Sequence, residues 1–158
     1  MPVRYRVLPE LNLLYYAGFG HCTGSELFAA EAETSKHPQR IPDMKIIIDA
    51  TMVTELDIDR EDLTHLIEFN RQLVAQGRKL EMTAIIARHE PDFLLSDLVV
   101  LLADDSMSLR LAAFNNLLAT LDWLGLSGNH EQITALRQSL RNEEMAALAK
   151  PPQIASPG

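Results

Sequence analysis

"IIIDATMVTELDIDREDL", residues 46–63, passes from a continuous apolar run into a crowd of acids. The first half decides the fold. With the residues just before it, "MKIIIDA" (44–50) has the length of a strand and no polar alternation, the pattern of a strand covered on both faces. Such a strand needs helices packed against its sheet. The second half sets the functional question: an enzyme's carboxylate site, a metal loop, or a switch surface that lacks its phosphate acceptor.

Upstream, "RYRVL" (4–8) and "NLLYYAGF" (12–19) are strand-like, and "PELN" between them suits a turn, so the spacing predicts a hairpin. Thr23 or Ser25 then caps a helix that Glu26 helps to start, with Leu27 and Phe28 on its inner face; "KHPQRIPD" (36–43) ends it. Downstream, Leu63, Leu66, Ile67, Leu73 and Val74 form one helical stripe, closed by Gly77. "EMTAIIA" (81–87) reads as a second buried strand, Pro91 opens a helix to about Ala103, and "SLRLAAF" (108–114) reads as a last strand. Asn115 or Asn116 caps a helix carrying Leu117, Leu118, Leu121 and Leu124, which Gly125 ends.

A final helix runs from His130 to about Lys150, with Asn129 and Gln132 at capping-box spacing and a narrow stripe of Ile133, Leu136 and Leu140. Trp123 falls outside the inner stripe of its own helix, so the 130–149 helix is expected to cover it. The expected class is α/β: a mixed β-sheet with an N-terminal hairpin and helices packed on it, plus a C-terminal helix. One domain is expected over 1–126, a helical extension over 127–150, and a disordered tail, "PPQIASPG", over 151–158.

Composition narrows the partners. The 158 residues, 47% hydrophobic and 23% charged, are those of an ordinary globular domain. Fourteen basic residues against 22 acidic ones, net −8, do not supply the clustered cations that a nucleic-acid backbone or an anionic membrane surface needs. Cys22 is the single cysteine, which excludes an internal disulfide and a cysteine-based zinc site. "MPVRYRVLPELN" lacks the apolar stretch of a leader, and "FLLSDLVVLLA" (93–103) is too short to span a bilayer and is broken by Asp97. No stable membrane insertion is expected, and the location implied is a reducing cytoplasm.

The acids Glu55, Asp57, Asp59, Glu61 and Asp62 admit three readings. Asp59 caps the next helix while its neighbours favour the positive end of the helix dipole, each contributing about 0.3–1 kcal/mol. Alternatively they form an acidic docking surface for a basic partner. A calcium loop would use Asp57, Asp59, Glu61 and Glu68 as positions 1, 3, 5 and 12, but Asp62 stands where glycine is needed. Asp49 ends a central strand, where α/β folds place ligand sites, or else it accepts backbone N–H bonds from the next loop. Neither a second carboxylate nor a histidine is assigned beside it, and His21 and Cys22, adjacent in a strand, point to opposite faces. The other histidines lack metal-ligand spacing, and Gly18, Gly20 and Gly24 do not form a phosphate loop. No catalytic residue, metal or cofactor is therefore assigned.

The order hairpin, helix, strand, helix, strand, helix, strand, helix resembles the STAS domain superfamily, and more closely its SpoIIAA-like branch, the fold of anti-sigma factor antagonists. The residues that carry the likeness are "NLLYYAGFG" (12–20), "IIIDA" (46–50), "TAIIA" (83–87) and "RLAAFNNLLATLDWL" (110–124). In the antagonists a serine after the central strand is phosphorylated by a partner kinase. Here the corresponding loop reads Thr51 to Ile58, and Asp57 is followed by Ile58 in place of serine, so only Thr51 and Thr54 remain as nearby hydroxyls.

The resemblance implies a non-enzymatic, regulatory or protein-interaction module without the serine phospho-switch. Its expected surface comprises Asp49, Thr51, Thr54, Glu55, Asp57 and Asp59. The alternative is a carrier or sensor of a small apolar, lipid-like ligand, with Phe93, Leu94 and Leu98 on a pocket wall. The apolar run 93–103 also suggests a homodimer, because obligate dimer interfaces are more apolar than ordinary surface.

Overall fold

Two long parallel strands form the centre of the sheet: β2 (Leu13–Thr23) and β3 (Lys45–Asp57). The computed structural model describes residues 2–41, 43–77, 82–88 and 111–150. β1 (Val3–Leu8) pairs antiparallel with β2, while β4 (Thr83–Ile86) and β5 (Leu111–Phe114) continue the sheet in parallel, giving the spatial order β1-β2-β3-β4-β5. The mixed sheet with an N-terminal hairpin is thus present. The hairpin turn is one turn of 3-10 helix, Pro9–Leu11, closed by Asn12 in the left-handed conformation (φ 51°).

Alternation along β2 splits the core into two layers. Leu13, Tyr15, Ala17 and Phe19 join Ile47, Ala84 and Ile86 under α3 (Leu117–Trp123) and α4 (His130–Ala149). Leu14, Tyr16 and Cys22 join Val3, Met44 and Ile46 on the opposite face, with Ala30 of α1 (Gly24–Ser35). α2 (Arg60–Ala75) presents the buried Leu63 and Ile67. Ile133 and Leu140 are fully buried, so the C-terminal helix shares the main core.

The starts of α1 and α3 carry the cap their residues imply. Thr23 caps α1, accepting the Glu26 N–H, and Asn116 caps α3, accepting the Ala119 N–H at 2.8 Å. At the start of α4 the expected capping box is absent: Asn129 makes no cap bond, and its side chain instead meets that of Gln132 at 3.4 Å. Gly77, at φ +95°, follows α2 in the conformation that glycine adopts freely.

Three expectations are corrected. β3 does not end at Ala50 but runs to Asp57, so Thr51, Thr54, Glu55 and Asp57 lie in a strand and not in a loop. The reason is pairing: β2 is long enough to hold it, register partners continuing to Thr23↔Asp57, and Thr51, Val53 and Thr54 are β-branched. Leu118, counted on the inner stripe, is 65% exposed. Phe28, expected inward, is partly exposed and packs edge-on against Phe69 of α2, ring centres 5.0 Å apart. Trp123 is half-buried at the edge of the main core and tilts against Phe114, 5.7 Å between ring centres. The helix expected over 91–103, residues 108–110 of the last strand and the tail 151–158 lie outside the described residues.

Candidate functional site

Two irregularities in the β2–β3 ladder shape this end of the sheet. Ala17 faces Asp49 but Phe19 faces Met52, and Gly20 faces Val53 but His21 faces Glu55, so β3 carries one extra residue at each step. Bulges of this kind re-aim side chains. Asp49 and Thr51, two apart in the strand, share a face, and Oδ1 of Asp49 accepts both the Thr51 N–H (3.0 Å) and the Thr51 hydroxyl (2.6 Å). Oδ2 accepts the Tyr15 hydroxyl and, at 2.8 Å, Nε of Arg137 from α4. The Arg137 guanidinium also donates to the Thr51 oxygen at 3.0 Å.

Asp49 is buried, at 4% exposure, and a buried carboxylate persists only when paired and hydrogen-bonded. Four donors fill its four acceptor positions. Its role here is to join sheet and helix. Burial, then the adjacent Asp49 charge, holds the Tyr15 hydroxyl far above its usual pKa, so it stays a proton donor. On the other face burial raises Tyr16 likewise, where it meets Glu31 and Thr34.

The remaining acids divide by position. Glu55, Asp57 and Asp59 are exposed, while Leu56 and Ile58 between them turn inward. Asp57 lies 3.8 Å from the exposed His21. Asp59 and Asp62 each accept the other's backbone N–H, at 2.8 and 3.1 Å, forming a reciprocal cap on α2. Thr54 is exposed at the second bulge. Phe93, Leu94 and Leu98 lie outside the described residues.

Leu56 and Ile58 line a feature that the acids concealed. An apolar cavity of about 120 Å³ lies between the sheet and helices α1 and α2. Val53 and Leu56 of β3, Ile58 just after it, Leu27 of α1 and Leu63 and Leu66 of α2 form much of its wall. Gly18 and Gly24 border it; a Cβ on Gly18 would stand 2.7 Å from Val53 Cγ2. Cys22 also faces the cavity, and burial pushes its thiol up, keeping it protonated and weakly polar. On the α4 face a separate cleft of about 190 Å³ runs between α4 and β3, with Arg137 and Arg141 on its rim.

Residue-by-residue reading found Asp49 and Thr51 but missed Tyr15 and Arg137. One signal was present. Arg137 stands within the Ile133, Leu136, Leu140 stripe, and a charge on an apolar stripe requires a buried partner. Glu144 extends the same stripe and pairs with Arg4 at 2.8 Å. Among the described residues no three His, Cys, Asp or Glu side chains are grouped to hold a metal, and no helix is long and apolar enough to cross a membrane.

No protein-family model matches the chain, and no curated protein matches it. Among solved structures it is similar to an uncharacterized protein of the DUF3478 family with a SpoIIAA-like fold, from Shewanella loihica PV-4. The two are 17% identical, the match covers 77% of this chain and 93% of that one, and the TM-score is 0.49.

Proposed function

We propose that the chain is a STAS-like binding module without catalytic chemistry that holds a small apolar molecule between its sheet and helices α1 and α2, as a carrier or sensor. The observation that carries this is the apolar cavity of about 120 Å³. An apolar cavity of about 150 Å³ stays dry and takes up benzene or xenon. A void left empty forfeits the dispersion contacts of its lining, so a fitting guest is stabilising. Burial keeps the Cys22 thiol on the cavity wall protonated, which makes it a poor nucleophile.

The same segment offers a docking face, which favours the sensor over the simple carrier. In Glu55–Leu56–Asp57–Ile58–Asp59 the apolar residues touch the cavity and the acids face water. A guest pressing on Leu56 and Ile58 bears on the strip that a basic protein partner would meet. Ile58, at the family's acceptor position, lines the cavity and offers no hydroxyl, so occupancy replaces phosphorylation as the signal.

Thermal unfolding with benzene or toluene tests this. At ten times Kd a guest stabilises by about 1.4 kcal/mol, a rise of roughly 3–5 °C for a chain of this size. Val53→Phe fills the space and should abolish the rise while the variant remains folded by circular dichroism. A wild-type midpoint unmoved by either guest, or a rise that survives in V53F, would overturn the proposal.

A further inference from the structure

The cleft between α4 and β3 lies on the opposite face of the sheet from the apolar cavity, and its polar groups are unevenly satisfied. Asp49 has all its acceptor positions filled, by Tyr15, Thr51 and Arg137. The Thr51 hydroxyl is likewise committed, donating to Asp49 and accepting from Arg137. Arg137 is not. Its bonds to Asp49 and Thr51 use Nε–H and one Nη2–H, so three of the five guanidinium N–H donors are left.

Arg141, one helical turn further along α4, also lines the cleft and has no hydrogen-bond or ion-pair partner among the described residues. Two like charges at i and i+4 on one helix face repel. In a chain of net charge −8, with acids available to separate them, that arrangement leaves an unanswered cation at the mouth of a cleft. Asp49 cancels the charge of Arg137, so the cleft carries one net positive charge. One charge suits a monoanion, and the pair of free N–H groups on a guanidinium matches the two oxygens of a carboxylate. Phe19 and Met52 lie in the same cleft and offer apolar surface to the rest of such a ligand.

We infer that this cleft binds a small monocarboxylate with an apolar body, its carboxylate on Arg137 and Arg141 and its body against Phe19 and Met52. The site is independent of the cavity between the sheet and α1 and α2, because it occupies a different face and takes a charged ligand. Thr51 and Asp49 act as positioning residues, holding the Arg137 plane in place.

Benzoate is the probe, with benzyl alcohol and inorganic phosphate beside it, followed by amide chemical shifts in the full chain. Benzoate in the millimolar range should shift the signals of Thr51, Arg137 and Arg141, while the alcohol and phosphate should not. Arg141→Gln should weaken benzoate roughly tenfold, the worth of a charge-assisted hydrogen bond. Gln138→Glu, an exposed change on the same rim, should weaken it too by placing a negative charge in the cleft. No benzoate binding, phosphate binding as tightly as benzoate, equal affinity in R141Q, or shifts confined to the α1 and α2 face would each overturn the assignment.

Discussion

The Asp49 carboxylate and the Arg137 guanidinium meet at 2.8 Å across 88 positions of sequence, tying the middle of the sheet to the last helix. The carboxylate end is buried and the guanidinium end is 30% exposed. An ion pair of this kind gains little over an apolar substitute, because desolvation offsets most of the attraction. Its asymmetry is what matters: losing the arginine strands a buried charge, whereas losing the aspartate leaves a cation that reaches water.

Arg137→Ala should therefore destabilise by about 2–3 kcal/mol, somewhat below the roughly 3–5 kcal/mol of a fully buried broken pair because Arg137 is partly solvated. Asp49→Asn should cost less, and the double variant should cost less than the sum of the two. Urea unfolding of all four proteins gives the coupling. Strictly additive losses would mean that the two side chains do not depend on each other.

Helix α4 is held by more than that pair. Ile133 and Leu140 are fully buried in the core that contains Leu13, Tyr15 and Ile47, while Leu148 is 77% exposed. Ile133→Ala and Leu140→Ala should each cost about 2–4 kcal/mol, and Leu148→Ala less than about 0.5 kcal/mol. Denaturant midpoints decide it, and an Ile133→Ala as mild as Leu148→Ala would detach α4 from the fold.

Where α1 meets α2, Gly24 leaves the room that the Asp62 side chain occupies. A Cβ on Gly24 would lie 2.3 Å from Cγ of Asp62, the residue that caps α2 reciprocally with Asp59. Gly24→Ala must displace Asp62 and lose that cap, so it should cost about 1–3 kcal/mol. Gly128→Ala, where nothing stands within 4 Å, serves as the control and should be near neutral. Equal midpoints for the two variants would show that Asp62 swings away freely.

Much of this architecture was legible in the sequence, and the failures have physical causes. Periodicity found the hairpin, the doubly covered β3 start and the α2 stripe because burial imposes those patterns directly. It stopped β3 at Ala50 because acids and threonines there look like a loop; partner pairing along β2 and two extra residues in β3 are non-local facts. The first bulge also turned Met52 to the face of Asp49, which regular alternation would have placed on the other side. Tyr15 and Arg137 were missed since their partner is reached only through the folded sheet. Leu118 was counted inside because a helical stripe gives the face but not how far its neighbours extend.

The two buried tyrosines make alkaline stability the last test. Burial, before any charge effect, raises the folded-state pKa of Tyr15 and Tyr16 far above the ordinary 10.0. A raised folded pKa means that above pH 10 the unfolded chain sheds protons that the folded chain keeps, so unfolding gains. The stabilisation is complete below pH 10 and is lost progressively above it, at about 1.4 kcal/mol per pH unit for each tyrosine. Cys22 is raised in the same direction from 9.0, chiefly by burial, so the decline should set in near pH 9 and steepen past 10. Replacing Tyr16 with phenylalanine removes one ionisation without touching Asp49, and should flatten the slope between pH 10.5 and 11.5 by about 1.4 kcal/mol per unit. Urea midpoints of wild type and Tyr16→Phe across pH 8–11.5 give the comparison. Parallel curves would mean that the Tyr16 hydroxyl ionises in the folded chain as readily as in the unfolded one, and that the layer beneath α1 admits water.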